Sequence, residues 1–165
     1  MPKNATSWLS AASQSVLASY DEGALPFEAT ASMEVDVAFL DDPDESKADM
    51  VDGAIGELSP FHETFGYYAQ GVSVTTAVLP KAWSDRVVAY GTSGTEPGRG
   101  LCLEPHDCVI SKLVAGRAKD HAFAAALVEQ GLINLDILDA RLAELDAHPL
   151  SLERIRDWIV AHRTR

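Results

Sequence analysis

The sequence predicts an α+β fold, a mixed sheet with flanking helices followed by a C-terminal helical bundle. Three observations carry this. Residues 32–40, "SMEVDVAFL", alternate polar and apolar side chains with a period of two, the pattern of a strand with two unlike faces. From Pro105 onward the apolar spacing becomes helical, punctuated by Gly116 and Gly131. Apolar residues make up 47% of the chain and charged residues 23%, which is enough to build a core and too little charge for a disordered chain.

At 165 residues the length suits one domain. We divide it into a core at residues 1–103 and a helical region at 104–165, packed as one compact unit. Residues 7–20, "SWLSAASQSVLASY", read as a short strand or loop running into a helix, and residues 21–31 as a loop. After the 32–40 strand, Asp42 is placed as an N-cap, Pro43 as the first helical residue and Glu45 as the partner of a capping box. Ala48, Val51, Ile55 and Leu58 then form one buried helical face. "FGYYAQGVSVTTAVLP" reads as one or two strands with a turn at Gly71, "WSDRVVAY" as a strand, and "LCLE" as a short strand. Residues 91–100, "GTSGTEPGRG", form a flexible connection. They lack the Lys and Ser/Thr that follow the last glycine of a phosphate-binding loop. Four helices follow. One runs from Pro105 to Gly116, the next stops at Gly131, and the third starts from a capping Asn134. The last starts at Ser151, with Leu150 and Ile155 placed as a hydrophobic staple.

The net charge of −12 is unevenly placed. Residues 1–80 hold 13 acidic side chains against Lys3 and Lys47, whereas residues 81–165 hold 12 against 11 basic ones. A large nucleic-acid surface needs clustered Lys and Arg, so the first half excludes one. The most basic stretch, "ERIRDWIVAHRTR", also suits a solvated helix end, where cations complement the macrodipole. Cys102 and Cys108 have no zinc-site spacing. Their separation is open to a disulfide, but two buried thiols in a reducing compartment is the better fit. The opening residues lack the basic start and apolar run of a signal peptide, and no apolar stretch is long enough to span a bilayer, so the expected location is cytoplasmic, with no membrane partner.

Two clusters can carry chemistry. Glu34 and Asp36 are two apart on a strand, so they point the same way with Cα atoms roughly 6.5–7 Å apart and can reach one ion. Such oxygen ligands suit Mg²⁺, which shares its remaining positions with water and substrate phosphates. The same alternation is also what any half-exposed strand shows. The second cluster is "SKLVAGRAKD". Lys112, Arg117 or Lys119 can meet a triphosphate, and Asp120 can take a proton from an attacking hydroxyl. Its plainer reading is a solvated turn between helices, with Asp120 serving the next helix start. The five histidines have no metal-binding spacing. His106 and Asp107 read as helix-start residues, and Ser13 and Ser15 have no partner that would make a serine hydrolase.

"EATASMEVDVAFLDDPDESKADMVDGAIGELSPFHETFGYYAQGV" followed by "LCLEPHDCVISKLVAGRAKD" resembles a group of bacterial proteins of the nucleotidyltransferase superfamily, distant relatives of the AbiEii-type toxins. The resemblance covers about residues 9 to 145, and its specific part is "EPHD…SKLVAGR.KD". It implies a nucleotidyltransferase-like sheet, with Glu34 and Asp36 as ligands of Mg²⁺, or of Mn²⁺ in its place. Ser13 would be the serine of a Gly-Ser motif that holds nucleotide phosphates. Lys112 would contact the nucleotide, and Lys119 with Asp120 would match a later Lys-Asp motif. The implied reaction moves a nucleotidyl group from an NTP to a hydroxyl of an RNA, a protein or a small molecule. Ala12 stands where the motif has glycine, and Gln70 where a third acid would stand. These departures motivate a second reading, a non-catalytic nucleotide- or partner-binding module. Family analogy alone adds a third, membership of a toxin–antitoxin pair with a partner protein.

Overall fold

The computed structural model describes residues 8–10, 13–30, 32–91 and 100–163, with 8–10 and 13 described by backbone alone. Strands β1 (Trp8–Ser10), β2 (Glu34–Phe39), β3 (Tyr68–Gly71), β4 (Val88–Tyr90) and β5 (Gly100–Cys102) form one mixed sheet in the order β3-β2-β1-β5-β4. β1 runs antiparallel to β2 and parallel to β5, β2 runs parallel to β3, and β4 runs antiparallel to β5. Around the sheet lie α1 (Ser13–Leu17), α2 (Phe27–Thr30), α3 (Ser46–Ile55) and α4 (Pro60–Phe65). The second part of the chain is α5 (Pro105–Ala115), α6 (Ala118–Glu129), α7 (Leu135–Ala143) and α8 (Pro149–Arg163). The α+β class and the helical C-terminal region are therefore as expected.

Helix α5 is the axis of the molecule. Pro105 starts it, and the Glu104 carboxylate caps it by accepting the His106 and Asp107 amides at 3.0 and 3.3 Å. It ends at Gly116, whose φ of 68° is the left-handed conformation glycine adopts without strain. Arg154 of α8 closes this end by donating to the Leu113 and Val114 carbonyls at 3.1 and 2.9 Å. A Cβ at Gly116 would sit 2.9 Å from that guanidinium. Between its ends α5 buries Val109, Ile110 and Leu113 completely. Each such side chain contributes about 1.5–3 kcal/mol. One core cluster runs from Val16 and Ala38 through Leu103 to Leu127 and Ile155, crossing the 103/104 boundary without a gap.

A charged knot ties α5 to its neighbours. Asp107, fully buried, accepts from Arg86 Nε and Nη2 at 2.7 and 3.0 Å and lies 3.1 Å from Arg141 Nε. Beside it His106 bridges Glu104 Oε1, 2.6 Å from its Nδ1, and the Asn134 amide, 3.0 Å from its Nε2. His106 and Asp107 are thus structural, as their helix-start position suggested. Cys102 and Cys108 are buried and not joined by a disulfide, and burial pushes the Cys102 thiol up to about 11.

Several local expectations are corrected. α3 begins at Ser46 and not at Pro43, because Glu45 adopts φ 59° and breaks the helical run. Asp42 still caps the helix, from farther out. Its carboxylate accepts the Lys47 and Ala48 amides at 3.0 Å, and Glu45 makes no capping box. Leu58 lies past the helix end and is 81% exposed instead of sharing the buried face of Ala48. Residues 21–31 hold a 3₁₀ turn at Glu22–Ala24 and helix α2. "WSDRVVAY" opens with a 3₁₀ turn at Trp83–Asp85, so its strand is confined to β4. α8 starts at Pro149, two residues early, and Leu150 is exposed, so the staple does not form. Residues 92–99 of the Gly-rich connection lie outside the described residues.

Candidate functional site

Glu34 and Asp36 do not wet an outer face. Their side of β2 also carries buried Ala38, and the end of α5 and the start of α6 cover it. The period-2 pattern puts both acids on one side, and the parallel register sets Tyr68 beside Glu34 and Gln70 beside Asp36. The other end of this arrangement comes from the Gly116 stop. The chain reverses there and brings Arg117 and Lys119 back over the sheet, next to Lys112 in the last turn of α5. The acids and cations that the sequence presents about 80 residues apart thereby face one cavity of about 420 Å³. That volume lies within the roughly 300–1,000 Å³ of small-molecule sites.

The cavity wall is chemically mixed. Its polar side chains include Glu34, Asp36, Gln70, Lys112, Arg117 and Lys119. Val72, Val74, Ala77 and Leu103 are among its apolar ones, with Ser73 and Ser111 also on the wall. Periodicity carried no signal for the Val72–Ala77 part of this wall, because it forms a loop and 3₁₀ turn (Val74–Thr76) where a second strand was one option.

Burial first, then the charge and hydrogen bond of Glu34, raise the Asp36 carboxyl above its usual range, while Lys112 and Arg117 pull it down. Two acids pressed together in a half-buried cleft favour a cation between them. Among the described residues Lys119 pairs with Glu34, its Nζ 3.8 Å from Glu34 Oε2 on a largely exposed side chain. Two carboxylates with the Gln70 amide opposite are hard oxygen donors, a set that fits Mg²⁺ when water and phosphate complete the shell. Among the described residues no group of three or more His, Cys, Asp or Glu gathers to hold a metal, so no larger protein cage forms here.

Asp120 occupies a different position from the one a general base needs. It is 2% exposed and is absent from the cavity wall. Its carboxylate accepts from Arg117 Nε and Nη2 at 2.7 and 3.1 Å and from the Arg117 amide at 3.2 Å, and Lys112 Nζ is 3.8 Å away. Burial works to raise its pKa, but the Arg117 hydrogen bonds and charge, with Lys112, hold it below the usual carboxylate range. The same bonds keep Arg117 in its charged form. Asp120 therefore pairs with two cations that face the cleft, and it bonds the Arg117 amide at the start of α6, the place its plainer reading as a helix-start acid gave it.

Lys112 and Lys119 both line the cavity. Ser13 opens α1, but its side chain, and Ala12 beside it, lie outside the described residues. Ser15 is buried and donates to the Leu103 carbonyl at 2.5 Å, a tie between α1 and the cleft floor. Gln70, noted as a neutral substitute for an acid, lies opposite Asp36. No family model, no curated protein and no solved structure matches this chain. Among the described residues no helix is long and apolar enough to cross a membrane.

Proposed function

We propose that the cleft binds a nucleoside triphosphate with Mg²⁺ and transfers its nucleotidyl group to an acceptor hydroxyl. The observation that carries this reading is the opposition across one cavity of an acid pair, Glu34 and Asp36, and three cations, Lys112, Arg117 and Lys119. A triphosphate with its metal is the ligand whose charges match both sides. Glu34 and Asp36 would hold Mg²⁺, with Gln70 beside them. When bound, that ion supplies charge neutralisation at the transferred phosphoryl group and alignment for in-line attack.

The chain's own side chains do the rest. Lys112 and Lys119 meet phosphate oxygens as point charges, and Arg117 presents its planar fork. Asp120 fixes that fork from behind. The apolar side chains of the cavity accept the base. The acceptor oxygen forms a bond to the α-phosphorus, and the bond to the bridging oxygen of the pyrophosphate breaks. Pyrophosphate leaves with that electron pair, and the hydroxyl proton passes to water at the cleft mouth.

Purified protein given each α-labelled NTP with Mg²⁺ or Mn²⁺, and a mixed pool of RNA and protein, tests this. Wild-type protein should transfer label, and Glu34→Gln or Asp36→Asn should each abolish transfer while retaining the melting transition. Activity in both variants would remove the acid pair from the mechanism. Mg²⁺-dependent NTP binding without any transfer would identify a binding module, the reading that Gln70 opposite Asp36 favours.

A further inference from the structure

Three aromatic rings stand together where α4 leads into β3. Phe61 and Phe65 of α4 have centroids 4.7 Å apart, and Tyr67 meets Phe61 edge-on at 5.3 Å and Phe65 at 6.1 Å. Phe65 and Tyr67 are more than half and one-half exposed, at 58% and 50%. Two further apolar side chains lie next to them in the fold. Met33, whose carbonyl accepts the Tyr68 amide, is exposed, and so is Leu58, just before α4. Leu58 holds φ 63°, an uncommon conformation for leucine, with its amide donated to His62 Nδ1 at 3.0 Å. None of these residues belongs to the buried core. Large apolar side chains gathered on a surface mark an interaction site, whereas single scattered ones do not.

Tyr68 follows Tyr67, lies against His62 of α4 at 4.7 Å with the two rings tilted by 47°, and pairs in register with Glu34 of the cleft. The stretch of chain that carries the patch has one sign of charge. No Lys or Arg lies between Lys47 and Lys81, while Asp49, Asp52, Glu57 and Glu63 do. Glu63 stands between Phe61 and Phe65 on α4 itself. Phosphate backbones are repelled by such a surface. Ammonium and guanidinium groups are drawn to it, both by the carboxylates and by the ring faces.

We propose that the Phe61–Phe65–Tyr67 patch docks a basic, apolar-studded segment of a protein, and that this protein presents the hydroxyl that receives the nucleotidyl group. The acceptor half of this rests on the function proposed above, with the same bond changes: oxygen to α-phosphorus formed, pyrophosphate released, proton to water. The docking half stands on the patch alone.

The test uses the full chain and three fluorescent probes. One is a synthetic peptide of Lys, Arg and Leu that also carries Ser, Thr and Tyr. The second is its equal-length analogue with Glu replacing Lys and Arg, and the third is a single-stranded RNA. Anisotropy should show binding of the basic peptide only, weakened at least roughly tenfold in Phe65→Ala/Tyr67→Ala by loss of two aromatic anchors. Both substituted side chains are substantially exposed, and an unchanged melting curve would verify that the variant folds. With labelled NTP, the basic peptide should be modified, and the variant should raise its KM while leaving NTP affinity unchanged. Equal binding by the variant, or preference for the acidic peptide or the RNA, overturns the docking surface. Peptide binding that the variant loses, in a protein that binds no NTP, upholds the docking surface and overturns the nucleotidyl reading and the acceptor role with it.

Discussion

Substituting Asp36 by Asn should stabilise the ligand-free protein at neutral pH, even though it removes a side chain central to the proposed chemistry. Two unit charges at about 4 Å, in an effective dielectric near 20, repel by roughly 4 kcal/mol. Lys112, Arg117 and the Lys119 ammonium 3.8 Å from Glu34 return part of this. Water in the open cleft screens much of the remainder, so about 1 kcal/mol is the expected net gain. For a chain of this size that raises Tm by roughly 2–4 °C. The pH dependence has a definite sign. The folded Asp36 carboxyl titrates above its ordinary 3.8, so the folded state binds more protons than the unfolded one in the window above that value. Wild-type stability from this group is therefore full below the unfolded pKa and is lost as pH rises through the folded one. The advantage of Asp36→Asn should appear across the same window and vanish below about pH 4. Thermal melts over a pH series, with and without Mg²⁺, measure it. Mg²⁺ should raise the Tm of the wild type by mass action and leave that of the variant nearly unchanged. A variant that melts below the wild type at pH 7 without metal would refute the argument that the acids repel each other in the empty cleft.

Other substitutions probe the supports of the site. Asp120→Asn should cost about 1–3 kcal/mol in urea unfolding and weaken triphosphate binding by freeing Arg117. The Asp120 contribution is present above its unfolded pKa and lost as acidification passes the lower folded value, so the difference should narrow in acid; unaltered NTP affinity would deny Asp120 its positioning role. Asp107→Ala leaves Arg86 and Arg141 without their buried partner and should cost about 3–5 kcal/mol in the same assay. Gly71→Ala would set a Cβ 2.1 Å from the Ala48 carbonyl oxygen, a backbone atom of α3 that cannot swing away. It should destabilise by at least about 1–3 kcal/mol, whereas Gly23→Ala, with open space around it, should leave Tm unchanged.

The legible parts of the site were those carried by short-range rules. Period-2 alternation put Glu34 and Asp36 on one side of β2, and the helix-stop glycine placed Lys112, Arg117 and Lys119 around one reversal. Asp120 was legible as an acid of the α6 start, where it accepts the Arg117 amide, but not in its burial, which depends on how α6 packs. Asp107 looked like a helix-start acid. Its partners Arg86 and Arg141 lie 21 and 34 residues away, and local pattern holds no trace of such pairings. The Leu150 staple and the Leu58 face failed for the converse reason. Their spacing was correct, but the chain before α8 and after α3 turns them outward.

The sequence by itself determined the α+β class, the central strand with its two unlike faces, where α5, α6 and α7 begin or end, and which half of the chain is acidic. Those features follow from φ/ψ preference, capping chemistry and side-chain alternation, all of which act within a few residues. Only the tertiary structure decided that the acid face of β2 is a cleft wall instead of a wet surface, that Asp120 faces Arg117 and not the cavity, and that Phe61, Phe65 and Tyr67 gather at the surface. The first two depend on which face of the sheet α5 covers. The buried apolar side of α5 selects that face by packing, and packing couples residues far apart in the chain.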